Sequence, residues 1–381
     1  MKGIFLVFHG FASYNGISKK IFYQRDALAK LGIDIRLCYL TMESDGRQKR
    51  MIDEQALEDF GTGLRAKIRK RLGYRALERY IAREDIRFVY MRSDHNASPT
   101  LIRLLRRLRK KEVRVFMEIP TYPYDREYLQ SSRRRKLSLA VDRCFRERMA
   151  RYIDRIVTFT DYTSIFGVPT VCISNGIDFP RIPVKRTVRD TSRELNLIGV
   201  AEIHFWHGFD RVIEGLAAYY AVPRARTVRF HIVGEGVAAE RQRLRDLAAE
   251  HGLQDKVLFY GTRSGEGLDE VFERCDMGIA SLGRHRSGIT KIKTLKNREY
   301  AARGIPFVYS ETDDDFDAMP YVWKAPADET PLDIDALLRF YDSVAMPPEA
   351  IRASISGTLS WETQMKKVTD ALAALTQTRR P

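Results

Sequence analysis

Lys293, Lys296 and Arg298 cluster around a single carboxylate, Glu299, in the stretch Lys296-Asn297-Arg298-Glu299-Tyr300-Ala301-Ala302-Arg303-Gly304-Ile305-Pro306-Phe307-Val308. The pattern predicts a helix over 293–303, a turn and a buried strand. Gly304 occupies the place of a left-handed C-cap, and Pro306 prevents the helix from continuing. Cations at a helix start oppose the macrodipole, so they add little to stability there. An anionic ligand at that end gives them a purpose. Further candidate groups follow predicted strands: His207, Gly208 and Arg211, then Gly234 and Gly236, then Gly261, then Arg286, Ser287, Gly288 and Lys291. Loops after the strands of a parallel sheet share one edge, so these groups can converge on one ligand.

The elements that must position them alternate. The first series opens with a strand over 3–8 and a small-residue loop containing Gly10, Ser13, Asn15 and Gly16. A helix over 17–32 and a strand over 33–40 follow. This is a Rossmann-like start without the GxGxxG fingerprint and without an acid ending the second strand, which argues against a dinucleotide. Residues 41–63 read as a polar loop. Basic helices are predicted over 64–81, 101–111 and 133–155, the last with Leu137, Leu139, Val141, Phe145 and Met149 facing inward. Glu118, Tyr122 and Tyr124 lie in a Pro-stiffened loop after the strand over 113–118, a setting suited to acceptor binding. A turn at Ser174-Asn175-Gly176-Ile177-Asp178 and an apolar-poor run to 194 separate this series from a second one. Ser360-Trp361-Glu362 begins a last helix. The fold class is α/β, doubly wound, with domains at 1–180 and 181–358 and a terminal segment at 359–381.

Charge is uneven along the chain. Residues 1–185 hold 38 Lys+Arg against 21 Asp+Glu, and the remainder 27 against 29. The basic half should attract an anionic surface. Four scattered cysteines without CxxC spacing fit a reducing compartment and argue against a zinc site. The first apolar run is five residues long, too short for a signal segment or a membrane span, which predicts a cytoplasmic protein. The aspartates at 313–315 read as a solvated turn rather than a metal site.

In order and spacing, the loop around Asn15-Gly16, the Asn175-Gly176-Ile177-Asp178 turn, Val233-Gly234-Glu235-Gly236, Phe259-Tyr260-Gly261 and Glu299-Tyr300-Ala301-Ala302-Arg303-Gly304-Ile305-Pro306 resemble the family-four retaining glycosyltransferases of the GT-B fold. The resemblance covers nearly the whole chain. It implies two Rossmann-like domains facing across a cleft, with a terminal helix crossing back to the first. It also implies transfer of a sugar, with retention, from a nucleoside diphosphate sugar to a glycan or lipid-linked acceptor in polysaccharide or envelope-glycan synthesis.

Glu299 matches the family's ribose-binding glutamate. Lys291 stands where its partner glutamate belongs, and Ala201 and His207 stand where an Arg…Lys diphosphate pair belongs. Lys296, Arg211, Arg286 and His207 are therefore assigned to the leaving diphosphate. Glu299, Gly16, Gly208, Gly234, Gly236, Gly261, Ser287, Gly288, Lys291, Asn297 and Arg298 are assigned to the donor. Gly10, Ser13, Asn15, Glu118, Tyr122 and Tyr124 are assigned to the acceptor. No cofactor or essential metal is implied. An anionic membrane surface is expected as a partner and nucleic acid is not. The alternatives are an epimerase or phosphorylase on the same fold, or a non-enzymatic binding protein with a basic surface.

Overall fold

Apolar runs alternating with amphipathic helices bury two mainly parallel sheets between helical layers. The computed structural model describes residues 1–11, 16–125, 132–187 and 189–377. Ser13 and Asn15 lie outside the described residues. The chain forms two units, Met1–Ser174 with Trp361–Pro381, and Asn175–Ser360.

The first unit begins with β1 (Lys2–Leu6), α1 (Gly16–Lys30), β2 (Asp34–Met42), β3 (Gln48–Ile52), β4 (Gln55–Gly61), α2 (Gly63–Leu72) and α3 (Arg75–Arg83). It continues with β5 (Phe88–Arg92), α4 (Pro99–Lys110), β6 (Arg114–Ile119), α5 (Arg133–Ala150), β7 (Arg155–Thr158), β8 (Ser164–Ile165) and β9 (Val168–Cys172). Strand order is β4-β3-β2-β1-β5-β6-β7-β9-β8. Strands β2, β1, β5, β6, β7 and β9 pair in parallel, β3, β4 and β8 add antiparallel edges, and every residue of β5 is buried. Such strands read as continuous apolar runs because both faces are covered.

Two local expectations change. Residues 41–63 contain the antiparallel hairpin β3–β4 rather than a loop, turned at Asp53 with φ 49°. Its polarity has a structural use. Buried Arg50 donates to the carbonyls of Gly73 at 2.7 Å and Lys70 at 3.0 Å, satisfying the end of α2. On α5, Leu139 and Met149 face inward, but Leu137 and Val141 do not, being 67% and 42% exposed.

The second unit runs β10 (Glu194–Val200), α6 (Phe209–Tyr220), β11 (Thr227–Val233), α7 (Ala238–Glu250), β12 (Val257–Phe259), α8 (Glu266–Arg274) and β13 (Met277–Ile279). It then runs α9 (Leu295–Arg303), β14 (Phe307–Tyr309), β15 (Val322–Lys324), α10 (Ile334–Ser343) and α11 (Pro348–Ser356). Its order, β12-β11-β10-β13-β14-β15, reverses at β10. The carboxyl edge beside such a reversal is where open α/β sheets bind ligands. The Thr294 side chain caps α9 by accepting from Asn297 N–H at 3.4 Å, and Gly304 ends it at φ 75°. After this unit, α12 (Trp361–Gln377) belongs to the first, where Gln364 accepts the Ser174 N–H at 2.7 Å.

Candidate functional site

The carboxyl edge of the second sheet gathers buried polar atoms that the protein does not pair. Lys296 Nζ, both Glu311 carboxylate oxygens and Ser281 Oγ are out of solvent contact and have no hydrogen-bond partner in another residue. Ser281 lies two residues beyond β13, Glu311 two beyond β14, and Lys296 in the first turn of α9. Because β13 and β14 are neighbours, both residues emerge at one place, tied by Ser310 N–H donating to Ser281 O at 3.0 Å. An unmade buried hydrogen bond costs about 1–3 kcal/mol, so several in one spot point to a ligand that makes them.

His207 adds a donor. It is 6% exposed, and its Nδ1 accepts the His204 N–H at 3.1 Å, which places the ring proton on Nε2. Burial, reinforced by Lys296 and Arg284, holds its pKa well below the ordinary histidine value, so the ring is neutral at pH 7. Burial also drives the Lys296 ammonium down, with Arg284 adding to this and Glu311 opposing it. Glu311 is pushed up by burial, against Arg284 and Lys296. An ammonium, a neutral imidazole donor and a hydroxyl suit anionic oxygens, whereas a carboxylate suits hydroxyl hydrogens. The ligand that satisfies all of them carries both kinds of group.

This pair costs the fold stability. Lys296→Met combined with Glu311→Gln should stabilise the chain by about 1–4 kcal/mol at neutral pH, the usual result of replacing buried ions by neutral groups of similar shape. The pH dependence follows from linkage. With its folded pKa depressed, Lys296 makes stability rise as pH climbs towards its unfolded value of 10.5. With its folded pKa raised, Glu311 makes stability fall as pH climbs from its unfolded value of 4.5. The double variant's advantage should therefore peak near neutrality and shrink on either side. Urea melts at acid, neutral and alkaline pH measure this, and a variant less stable than wild type at neutral pH contradicts it.

Several assigned cations are committed elsewhere, and their roles are corrected. Arg211 is 2% exposed and donates to the carbonyls of Thr330 at 2.7 Å, Leu282, and Pro326 at 3.0 Å, fastening loops. Arg286 is neutralised by Asp210 at 3.0 Å and by Glu329. Arg298 is fully buried. It grips Asp313 at 2.6 Å as well as Asp315, and donates to Asn175 O at 2.9 Å. Asn297 donates to the same Asp313 at 3.0 Å. These aspartates are thus largely an internal counter-charge rather than a solvated turn. Lys291 pairs with Asp314 at 2.6 Å, on the surface. Among the described residues, no group of three or more His, Cys, Asp or Glu is placed to hold a metal.

Glu299 is partly exposed, and its Oε1 accepts from Arg303 at 3.0 Å. Gly208 has φ 65°, and a Cβ there would stand 2.7 Å from Gly283 N, so the residue is dictated by contact between two loops. Gly234 and Gly236 press against the backbones of Ala201 and Ile203, and Gly261 O accepts the Gly234 N–H at 2.8 Å. Ser287 Oγ donates to Arg284 O at 2.8 Å, and Gly288 closes that turn at φ 69°. These contacts fix the shape of the loops to which the donor was assigned. Gly16 is the first residue of α1.

In the first unit, Glu118 is fully buried and held by Gln24 at 2.6 Å, Tyr90 at 2.7 Å, Lys20 at 3.4 Å and Arg92. Burial alone would raise its pKa, but Lys20, Arg92 and the two hydrogen bonds hold it below the ordinary carboxylate value. Tyr124 is 3% exposed and donates to Asp142 at 2.7 Å. Neither can meet an acceptor as assigned. Tyr122 packs edge-on against Tyr124, Tyr162 and Phe166. Gly10 lines a cavity of 790 Å³ within this unit.

Sequence reasoning missed Glu311 and Ser281. The signal for Glu311 was available: an acid close to the carboxyl end of a buried strand, the same signal that singled out Glu118.

A protein-family profile described as "Glycosyl transferases group 1" matches residues 195–319, a stretch within the second unit. A search of curated protein sequences finds no match. Among solved structures, sucrose-phosphate synthase from Thermosynechococcus elongatus superposes with a TM-score of 0.69 at 14% identity, over 99% of both chains. Anabaena HepE in complex with UDP gives a TM-score of 0.64 at 14% identity, over 98% of this chain and 100% of that one. The lipopolysaccharide outer core galactosyltransferase WaaB gives 0.58 at 13% identity, again over 98% and 100%. These likenesses establish the GT-B fold. Set on that fold, the profile match over residues 195–319 supports a glycosyltransferase.

Proposed function

We propose that this GT-B glycosyltransferase moves a sugar, with retention, from a nucleoside diphosphate sugar to a glycan or lipid-linked acceptor in envelope or polysaccharide synthesis. The observation that carries the donor assignment is the set of unpaired buried atoms on Lys296, Glu311 and Ser281. Lys296 and the His207 Nε2–H meet diphosphate oxygens as negative charge grows on the leaving group, in a site of low dielectric where each is worth more than in water. Glu311 accepts hydrogen bonds from sugar hydroxyls, and Glu299 from the ribose. No carboxylate is assigned as nucleophile, and no metal or cofactor is required. The HepE structures with UDP and UDP-glucose support this donor class. The first unit binds the acceptor in the cavity that Gly10 lines, and its basic surface faces an anionic membrane at the cytoplasmic side. Among the described residues, no helix is long and apolar enough to cross a membrane.

Thermal shift against UDP, GDP, ADP and dTDP tests the donor assignment. One of them should raise Tm, by about 2.7 kcal/mol of added stability at a hundredfold excess over Kd, and Glu299→Ala should abolish the shift. Silence with every nucleotide would refute it. An NMR spectrum of the first product formed reports the anomeric configuration, and activity in EDTA reports metal independence.

A further inference from the structure

We infer that α2 and the first turns of α5 form a lipid-docking face around the mouth of the first unit's cavity, and that the acceptor is an anionic lipid presented from a membrane. This rests on the acceptor assignment above and narrows it. The cavity lies beyond the carboxyl ends of β1, β2 and β5. His9, Asn96 and Ser98 give it a polar side suited to a headgroup, with Asp94 the one carboxylate in its lining among the described residues. Met42, Leu72, Leu137 and Val141 also line it, yet they are 66%, 49%, 67% and 42% exposed, so its rim is apolar and open to solvent.

The rim continues along α2. Leu64, Ile68 and Leu72 recur at i, i+4 and i+8, on one face, and are 69%, 49% and 49% exposed. The only buried residue of α2 is Ala66. A helix that buries one alanine and turns three large aliphatic residues outward is poorly matched to water alone. Exposed Arg65, Lys67, Arg69 and Arg71 alternate with that stripe, and the helix contains no acid. An apolar stripe set among cations is the pattern of a helix lying in a leaflet of anionic lipid. Lys70 and Arg71 extend the same charge into the cavity lining, where a lipid phosphate would sit. Charge alone does not mark the face. The equally basic α4 buries Leu101, Leu104, Leu105 and Leu108 against its own unit and presents no such stripe.

Co-sedimentation of the full chain with vesicles tests this, using phosphatidylcholine alone or mixed with phosphatidylglycerol. Wild type should bind the mixed vesicles at least about tenfold more tightly than the neutral ones. Leu64→Ser/Ile68→Ser, which leaves every charge in place, should lose about tenfold on the mixed vesicles. Arg65→Glu/Lys67→Glu/Arg69→Glu should lose the preference for anionic lipid. Both variants change exposed side chains, and far-UV circular dichroism and the nucleotide-induced Tm shift should match wild type. Equal binding to both vesicle types, no binding, or wild-type binding by the serine variant overturns the proposal. Dimerisation through this face, abolished by the serine variant without vesicle binding, overturns it too. A missing nucleotide shift with vesicle binding intact counts against the donor assignment and leaves this face standing.

Discussion

Lys296→Met is expected to lower kcat/KM for the donor by about 10²–10³-fold while leaving the protein folded. Losing one preorganised donor to a developing oxyanion has this effect in enzymes where it has been isolated. The size reflects the surroundings. Lys296 Nζ is out of solvent contact, has no hydrogen-bond partner and stands 5.9 Å from the Phe209 ring centre, so little screens it from a bound diphosphate. Methionine keeps most of the stem's packing and removes only the charge. Because the ammonium is held there at a cost, the fold loses little when it goes. Steady-state kinetics with a saturating acceptor, beside a urea melt, separates the two effects. A loss under tenfold, or a loss explained by unfolding, would remove Lys296 from the reaction. Arg298→Met is the contrast. Two residues along the helix, it should unfold the second unit, because it strands Asp313 without its partner in the core.

Glu118→Ala should destabilise the first unit by about 3–5 kcal/mol, the penalty for removing one partner of a buried charge cluster. Lys20 and Arg92, 5% and 8% exposed, would be left facing each other without their shared carboxylate. For a unit of this size the loss corresponds to a fall in Tm of about 6–20 °C. An acceptor-binding glutamate would behave differently, raising KM for the acceptor with Tm nearly unchanged. Differential scanning calorimetry paired with acceptor kinetics distinguishes them. An unchanged Tm with an altered KM would return Glu118 to the site.

Both results turn on which partner each side chain meets, and that marks the limit of what the sequence conveys. Periodicity and punctuation identified most of the elements. The helix ending at Gly304, the alternation that requires parallel sheets and the break near residue 175 are local properties, encoded within a few residues. So was the cationic cluster at the start of α9. The sequence could not say that Lys296 turns to the sheet edge while Arg298 turns to Asp313. Two residues along a helix are about 200° apart around its axis, and which side meets what depends on the packing. The partners that bind Arg211 come from residues 282, 326 and 330, at separations of 71 to 119 positions. Glu118 and Glu311 carried the same signature, an acid near the carboxyl end of a buried strand. Tertiary structure surrounded the first with four partners and left the second with none outside its own residue. The desolvation cost of a buried charge is settled by neighbours brought in from distant parts of the chain. The residue types that can do chemistry were therefore legible in sequence, but only the fold decided which of them are free to do it.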